Sequence, residues 1–116
     1  GINLKSHPKD TPYPASNFAA EGQIIPDDMF LEAFARHFME WASRWVDDGF
    51  APIRDNWKWR AKGIGKDITV RLGDKTLEGV FEDIGDDGSL VLSVDGNAQH
   101  IQAGDVFFPA VMAAED

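Results

Sequence analysis

Between residues 67 and 108 the chain alternates apolar and polar side chains in short runs divided by Gly/Asp turns. Ile68, Val70 and Leu72 alternate with Thr69 and Arg71 before Gly73-Asp74 breaks the run. A second run, 77–84, closes on Gly85-Asp86-Asp87-Gly88. Leu90-Val91-Leu92-Ser93-Val94 then passes through Asp95-Gly96 into 97–101, and Val106-Phe107-Phe108 ends the series. A period of two sends successive side chains to opposite faces of a strand, and Asp-Gly between such runs is a strong hairpin signal. Five strands this short bury an apolar face by curling, which predicts a small β-barrel. Such a barrel is not itself an active site, so any reacting groups must lie elsewhere.

The preceding segments read differently. Residues 5–26 carry four of the six prolines (Pro8, Pro12, Pro14, Pro26), with His7, Asp10, Tyr13, Ser16 and Asn17 between them. Proline fixes φ and removes a donor, so this is an extended loop, and a loop so long is usually functional or disordered. Tyr13 and Phe18 suggest that it packs on something or covers a ligand. Pro26-Asp27-Asp28 opens a helix, with Asp27 as the expected N-cap and acidic residues suiting the positive end of the dipole. Phe30, Phe34, Phe38, Trp41 and Trp45 recur at helical spacing, an aromatic stripe expected to be core, and Gly49 ends the helix. Pro52 starts a second, shorter helix whose buried stripe would be Ile53, Trp57 and Ala61. Gly63 and Gly65 lead into the strands, and the tail, 110–116, is expected to fray.

Composition narrows the function. With 43% apolar residues, four Trp and eight Phe, 116 residues can build a core. A net charge of −9 argues against nucleic acid and anionic membranes, because phosphate binding draws on Lys and Arg. With no cysteine, disulfides, thiolate metal sites and cysteine nucleophiles are excluded. No apolar run approaches a membrane span and no signal peptide opens the chain. The cytoplasm is the expected compartment.

Most candidate chemical motifs have plainer readings. His7, His37 and His100 lack ligand-like spacing, so no metal site is expected, and His37 reads as a packed or boundary residue. Asp83, Asp86 and Asp87 with Gly88 lack the pattern of a calcium loop and read as a turn. Gly63-Ile64-Gly65-Lys66 is too short for a phosphate loop and runs from helix to strand. The only basic cluster (Arg54, Lys58, Arg60 and Lys62, with Trp57 and Trp59) is either a solvated helix face or a contact to phosphate or an acidic partner.

In order and spacing, these segments resemble the C-terminal portion of a bacterial biotin protein ligase of the α-proteobacterial type. Gly1-Ile2-Asn3-Leu4 looks like the second half of that family's Gly-x-Gly-Ile-Asn-Val/Leu strand, which would make the chain a C-terminal fragment. His7-Pro8 through Tyr13-Pro14-Ala15 to Ala19-Ala20-Glu21-Gly22 is similar to the loop that follows, with Ser16-Asn17-Phe18 where many relatives have Thr-Ser-Leu. Gly49-Phe50-Ala51-Pro52-Ile53 with Trp57 resembles a helix junction of the family. Val70-Arg71-Leu72 to Gly79, Asp86-Asp87-Gly88-Ser89-Leu90-Val91-Leu92 and Ala103-Gly104-Asp105-Val106 resemble its SH3-like C-terminal domain. The family's Gly-Arg-Gly-rich loop and its lysine-bearing Lys-Trp-Pro-Asn-Asp segment are absent from these residues.

The resemblance implies an α+β architecture: two helices from the end of a ligase catalytic domain, then a five-stranded SH3-like β-barrel. Its expected divisions are 1–62, the end of the catalytic domain; 63–109, the barrel; and 110–116, a tail. The implied reaction joins biotin and MgATP as biotinyl-5′-AMP, then passes the acyl group to a lysine of a biotin carboxyl carrier protein. Substrate-binding residues would be Gly1, Ile2 and Asn3, with Gly1 against biotin and Asn3 hydrogen-bonding near the adenylate. The loop would help cover them, the barrel would close over the nucleotide and dock the carrier, and an upstream catalytic domain would be the other partner. Lacking the basic loop and lysine, these residues alone are not expected to catalyse or to bind ATP, Mg2+ or biotin. The alternatives are a standalone SH3-like interaction module or a ligase-like protein without biotin activity; an RNA-binding barrel is disfavoured by charge.

Overall fold

Two aspartates at its head and a glycine at its tail delimit the first helix. In the computed structural model, which describes residues 1–109, α1 spans Asp27–Asp48 and α2 spans Ala51–Arg60. The Phe30 N–H bonds to the Pro26 carbonyl (3.0 Å), so Asp27 is the first helical residue and Pro26, not Asp27, occupies the cap position. At the far end Gly49, at φ 78°, takes the left-handed conformation that stops the helix, and Pro52 sits in the first turn of α2.

The expected core stripe of α1 is not buried. No residue of the helix is buried, and Phe34, Phe38 and Trp45 are more than half exposed. The rings pack mainly along the helix itself, Phe30–Phe34 at 6.4 Å and Phe34–Phe38 at 6.0 Å between centroids, with Phe18 edge-on to Phe30 at 5.3 Å. Periodicity decides which residues share a face; it does not supply a layer to cover that face. His37 is likewise exposed, not packed, with Nδ1 3.5 Å from Glu40 Oε2.

Five strands follow: β1 (Asp67–Leu72), β2 (Lys75–Ile84), β3 (Leu90–Val94), β4 (Asn97–Ile101) and β5 (Asp105–Phe107). They form one antiparallel sheet in the order β4-β3-β2-β1-β5. Asp95 and Gly96 both have positive φ (52° and 79°), the pair of values a two-residue hairpin between Val94 and Asn97 requires. Among the described residues no ladder joins β4 to β5, so the sheet is open, not a closed hydrogen-bonded barrel. Its core nonetheless draws on both edges. Ile68, Val70, Phe81, Leu92 and Ile101 are buried, with Ile64, Leu72, Leu77, Ile84, Leu90, Val94, Val106 and Phe108 packed around them. Gly79 lets β3 approach β2 closely, because a Cβ there would stand 2.3 Å from the Ser93 carbonyl oxygen.

The chain divides into two compact units, Gly1–Ser43 and the residues from Arg44 onward. The expected tail, 110–116, lies outside the described residues.

Candidate functional site

In the first unit the segment 5–26 has turns but neither helix nor strand until α1 begins. It doubles back on the start of the chain, where Phe18 N–H donates to the Asn3 carbonyl (3.1 Å) and Ala19 N–H to that of Leu4 (3.0 Å). Among the described residues, 1–4 join no strand ladder; Asn3 and Leu4 pair through these two amides with the turn at 18–22. Asn3 Nδ2 donates to the Ser16 carbonyl (3.1 Å), and Ser16 Oγ donates to Glu21 Oε1 (2.6 Å). The fold leaves a mainly apolar cavity of about 400 Å³ here, lined by Gly1, Ile2, Asn3, Ser16, Asn17, Phe18, Glu21 and Gln23. Gly1, Ile2 and Asn3, the candidate substrate residues, thus share one wall. Ser16, Asn17 and Phe18 line the cavity too; the sequence marked them as loop residues near the prolines, in the place where many members of the resembled family carry Thr-Ser-Leu.

In the second unit, the basic cluster of α2 is largely spoken for within the fold. Arg54 Nη1 pairs with Asp86 Oδ1, and Lys58 Nζ stands 2.7 Å from Asp83 Oδ1. The Lys58 ammonium, with the Ile84 amide behind it, holds the Asp83 carboxyl below the usual carboxylate range. Arg60 leans over the exposed Trp59 ring, 5.0 Å from its centroid, and bonds the Asn56 carbonyl (3.2 Å). Trp57 lies 6.4 Å from Phe81, half-exposed where a buried position was expected.

The aspartate turn proves to be a turn with a polar latch. Asp87 Oδ1 accepts from the Ser89 hydroxyl (2.6 Å) and amide (3.0 Å), and Oδ2 accepts from Gln102 Nε2 (2.9 Å). These bonds, the Ser89 hydroxyl first, hold Asp87 far below the usual carboxylate range. His100 Nδ1 is 3.1 Å from Ser89 Oγ. The trio is not a nucleophilic triad: Ser89 is 1% exposed, and its proton goes to the carboxylate, not to the imidazole. Among the described residues no group of three or more His, Cys, Asp or Glu could hold a metal ion, and no helix is long and apolar enough to cross a membrane.

Comparison with known proteins gives this geometry a context. Residues 4–59 match the model of the biotin/lipoate A/B protein ligase family, and residues 63–108 match that of the biotin protein ligase C-terminal domain. The Paracoccus denitrificans biotin–[acetyl-CoA-carboxylase] ligase is 38% identical over 115 residues, covering 93% of this chain and 48% of that protein. The Bacillus subtilis (strain 168) bifunctional ligase/repressor BirA is 27% identical over 111 residues, covering 91% and 34%. The Aquifex aeolicus biotin protein ligase in complex with biotin and ATP superposes with a TM-score of 0.75 at 13% identity, over 91% of this chain and 46% of that one. At that identity the superposition speaks for the fold alone. These matches define a protein of the biotin/lipoate ligase class with a small α+β C-terminal part. The chain belongs to the biotin protein ligase family and corresponds to its C-terminal portion. It spans half or less of the length of the curated relatives it matches.

Proposed function

We propose that the chain is the C-terminal part of a biotin protein ligase that makes biotinyl-5′-AMP from biotin and MgATP and transfers biotin to a lysine of a carboxylase carrier protein in the cytoplasm. The observation that carries the proposal is the 38% identity to a biotin–[acetyl-CoA-carboxylase] ligase, which runs through both the loop-and-helix part and the sheet. A carboxylate is a poor acyl donor. Adenylation gives a mixed anhydride with a good leaving group, which the carrier amine then attacks. Such an anhydride must be kept from water, and its formation needs donors around developing phosphate charge.

Each segment has a part in this scheme. Gly1 and Ile2 would lie against biotin and Asn3 near the adenylate, a role supported by the cavity they line. The loop would cover the bound acyl group. Residues 1–62 would complete the catalytic domain and 63–109 would act as an SH3-like lid and carrier-docking domain, with 110–116 as a tail. Arg54 and Lys58 are engaged with Asp86 and Asp83, so phosphate-binding cations would come from the upstream catalytic domain, and the 116 residues would not catalyse alone. Upstream sequence of the gene tests this directly: it must encode a Gly-Arg-Gly-rich loop and a lysine-bearing Lys-Trp-Pro segment, and lack of either rules the proposal out.

A further inference from the structure

Asn17 is buried (9% exposed) in a loop that has no regular structure, and both ends of its carboxamide are bonded. Oδ1 accepts the Ala20 N–H at 2.8 Å, which fixes the orientation of the group and turns Nδ2 toward His7 Nδ1 at 2.7 Å. His7 Nδ1 must then be the lone-pair nitrogen, with the ring proton on Nε2. Through this one side chain, residue 7 is tied to the turn at 18–22. That turn delivers the Phe18 and Ala19 amides to the carbonyls of Asn3 and Leu4, while its neighbour Ser16 receives Asn3 Nδ2. Among the described residues, both hydrogen bonds of Asn3 given above run to the segment that Asn17 organises.

We propose that His7 and Asn17 form a clasp that sets the shape of the cavity at Gly1, Ile2 and Asn3, and that both are positioning residues for the biotin moiety. This rests on the ligase function proposed above. An unsatisfied buried carboxamide is costly, so losing either partner frees the loop to find another arrangement, and the cavity wall moves with it. The clasp sits beside the acyl pocket and carries no reacting atom. It therefore governs how well biotin is held, not how fast bound biotin reacts.

The test is steady-state labelling of a carrier domain by the full-length gene product, with biotin and ATP varied separately. Asn17→Ser keeps an oxygen to cap Ala20 N–H but is too short to reach His7; His7→Ala removes the acceptor; His7→Gln replaces it with Oε1. The KM for biotin is expected to rise about tenfold in N17S and H7A, with kcat and the KM for ATP unchanged to about twofold. H7Q is expected to return toward the parent. Should H7A fail to fold, N17S carries the same comparison. Reduced kcat with an unchanged KM for biotin in both N17S and H7A overturns the clasp while leaving the ligase function standing. No labelling by the parent enzyme overturns the ligase function, and the substrate assigned to the clasp with it.

Discussion

Lys58 Nζ lies 2.7 Å from Asp83 Oδ1, and this ion pair fastens the short second helix to the longest strand of the sheet. With the parallel contact of Arg54 to Asp86, it fixes α2 against β2 and the turn after it.

The Lys58–Asp83 pair is partly solvated, with side chains 30% and 45% exposed, so its worth is that of a surface pair. A double-mutant cycle of Lys58→Met and Asp83→Asn should give a coupling of about 0.5–1 kcal/mol that shrinks as salt is added. Coupling indistinguishable from zero at low salt would mean that α2 is not held in this way.

Asp87 and Asp83 make the sheet acid-sensitive. Both folded-state pKa values lie below the unfolded value, so their stabilisation is complete above about pH 4 and is lost as the pH falls through the lower folded values. Asp87→Asn keeps an acceptor for Ser89 but has no proton to take up. Urea midpoints at neutral and at acid pH should therefore fall less in D87N than in the parent. Identical falls would show that the Ser89 and Gln102 bonds do not form.

Leu92 is fully buried at the centre of the sheet core, and Leu92→Ala should cost about 3 kcal/mol in urea unfolding with an unchanged m-value. Gly79→Ala should cost about 1–3 kcal/mol for the opposite reason, since its Cβ would press on the Ser93 carbonyl. A neutral G79A would mean that β2 and β3 pair less closely than described.

On the aromatic face of α1, Phe34 and Phe38 are more than half exposed. In the isolated chain, Phe34→Ser with Phe38→Ser should reduce binding of a hydrophobic dye and change stability only by about the modest amounts typical of surface sites. A loss of several kcal/mol would instead mean that the face is covered.

The strands were legible because their signals are local. Val70 alternating with Thr69 and Arg71, and Asp95-Gly96 between two runs, locate a hairpin without knowledge of the rest, and β1 to β5 fall within two residues of the expected runs. Closure of the barrel is not a local property, and the ladder stops at β4 and β5. The stripe from Phe30 to Trp45 specified a helix face but not its neighbour. Arg54 with Asp86 and Lys58 with Asp83 join residues distant in sequence, so a basic cluster that looked available for phosphate is largely committed internally. The candidate site was half visible: Gly1, Ile2 and Asn3 stood out by resemblance. The bond between His7 and Asn17 crosses ten residues of irregular backbone with no period to reveal it.

The central claim is best tested by incubating the full-length gene product with biotin, MgATP and a carboxylase carrier domain. The account predicts mass addition of one biotinyl group to a single carrier lysine, dependent on both biotin and ATP and absent when that lysine is replaced. A folded full-length protein that leaves the carrier unmodified under those conditions would contradict it.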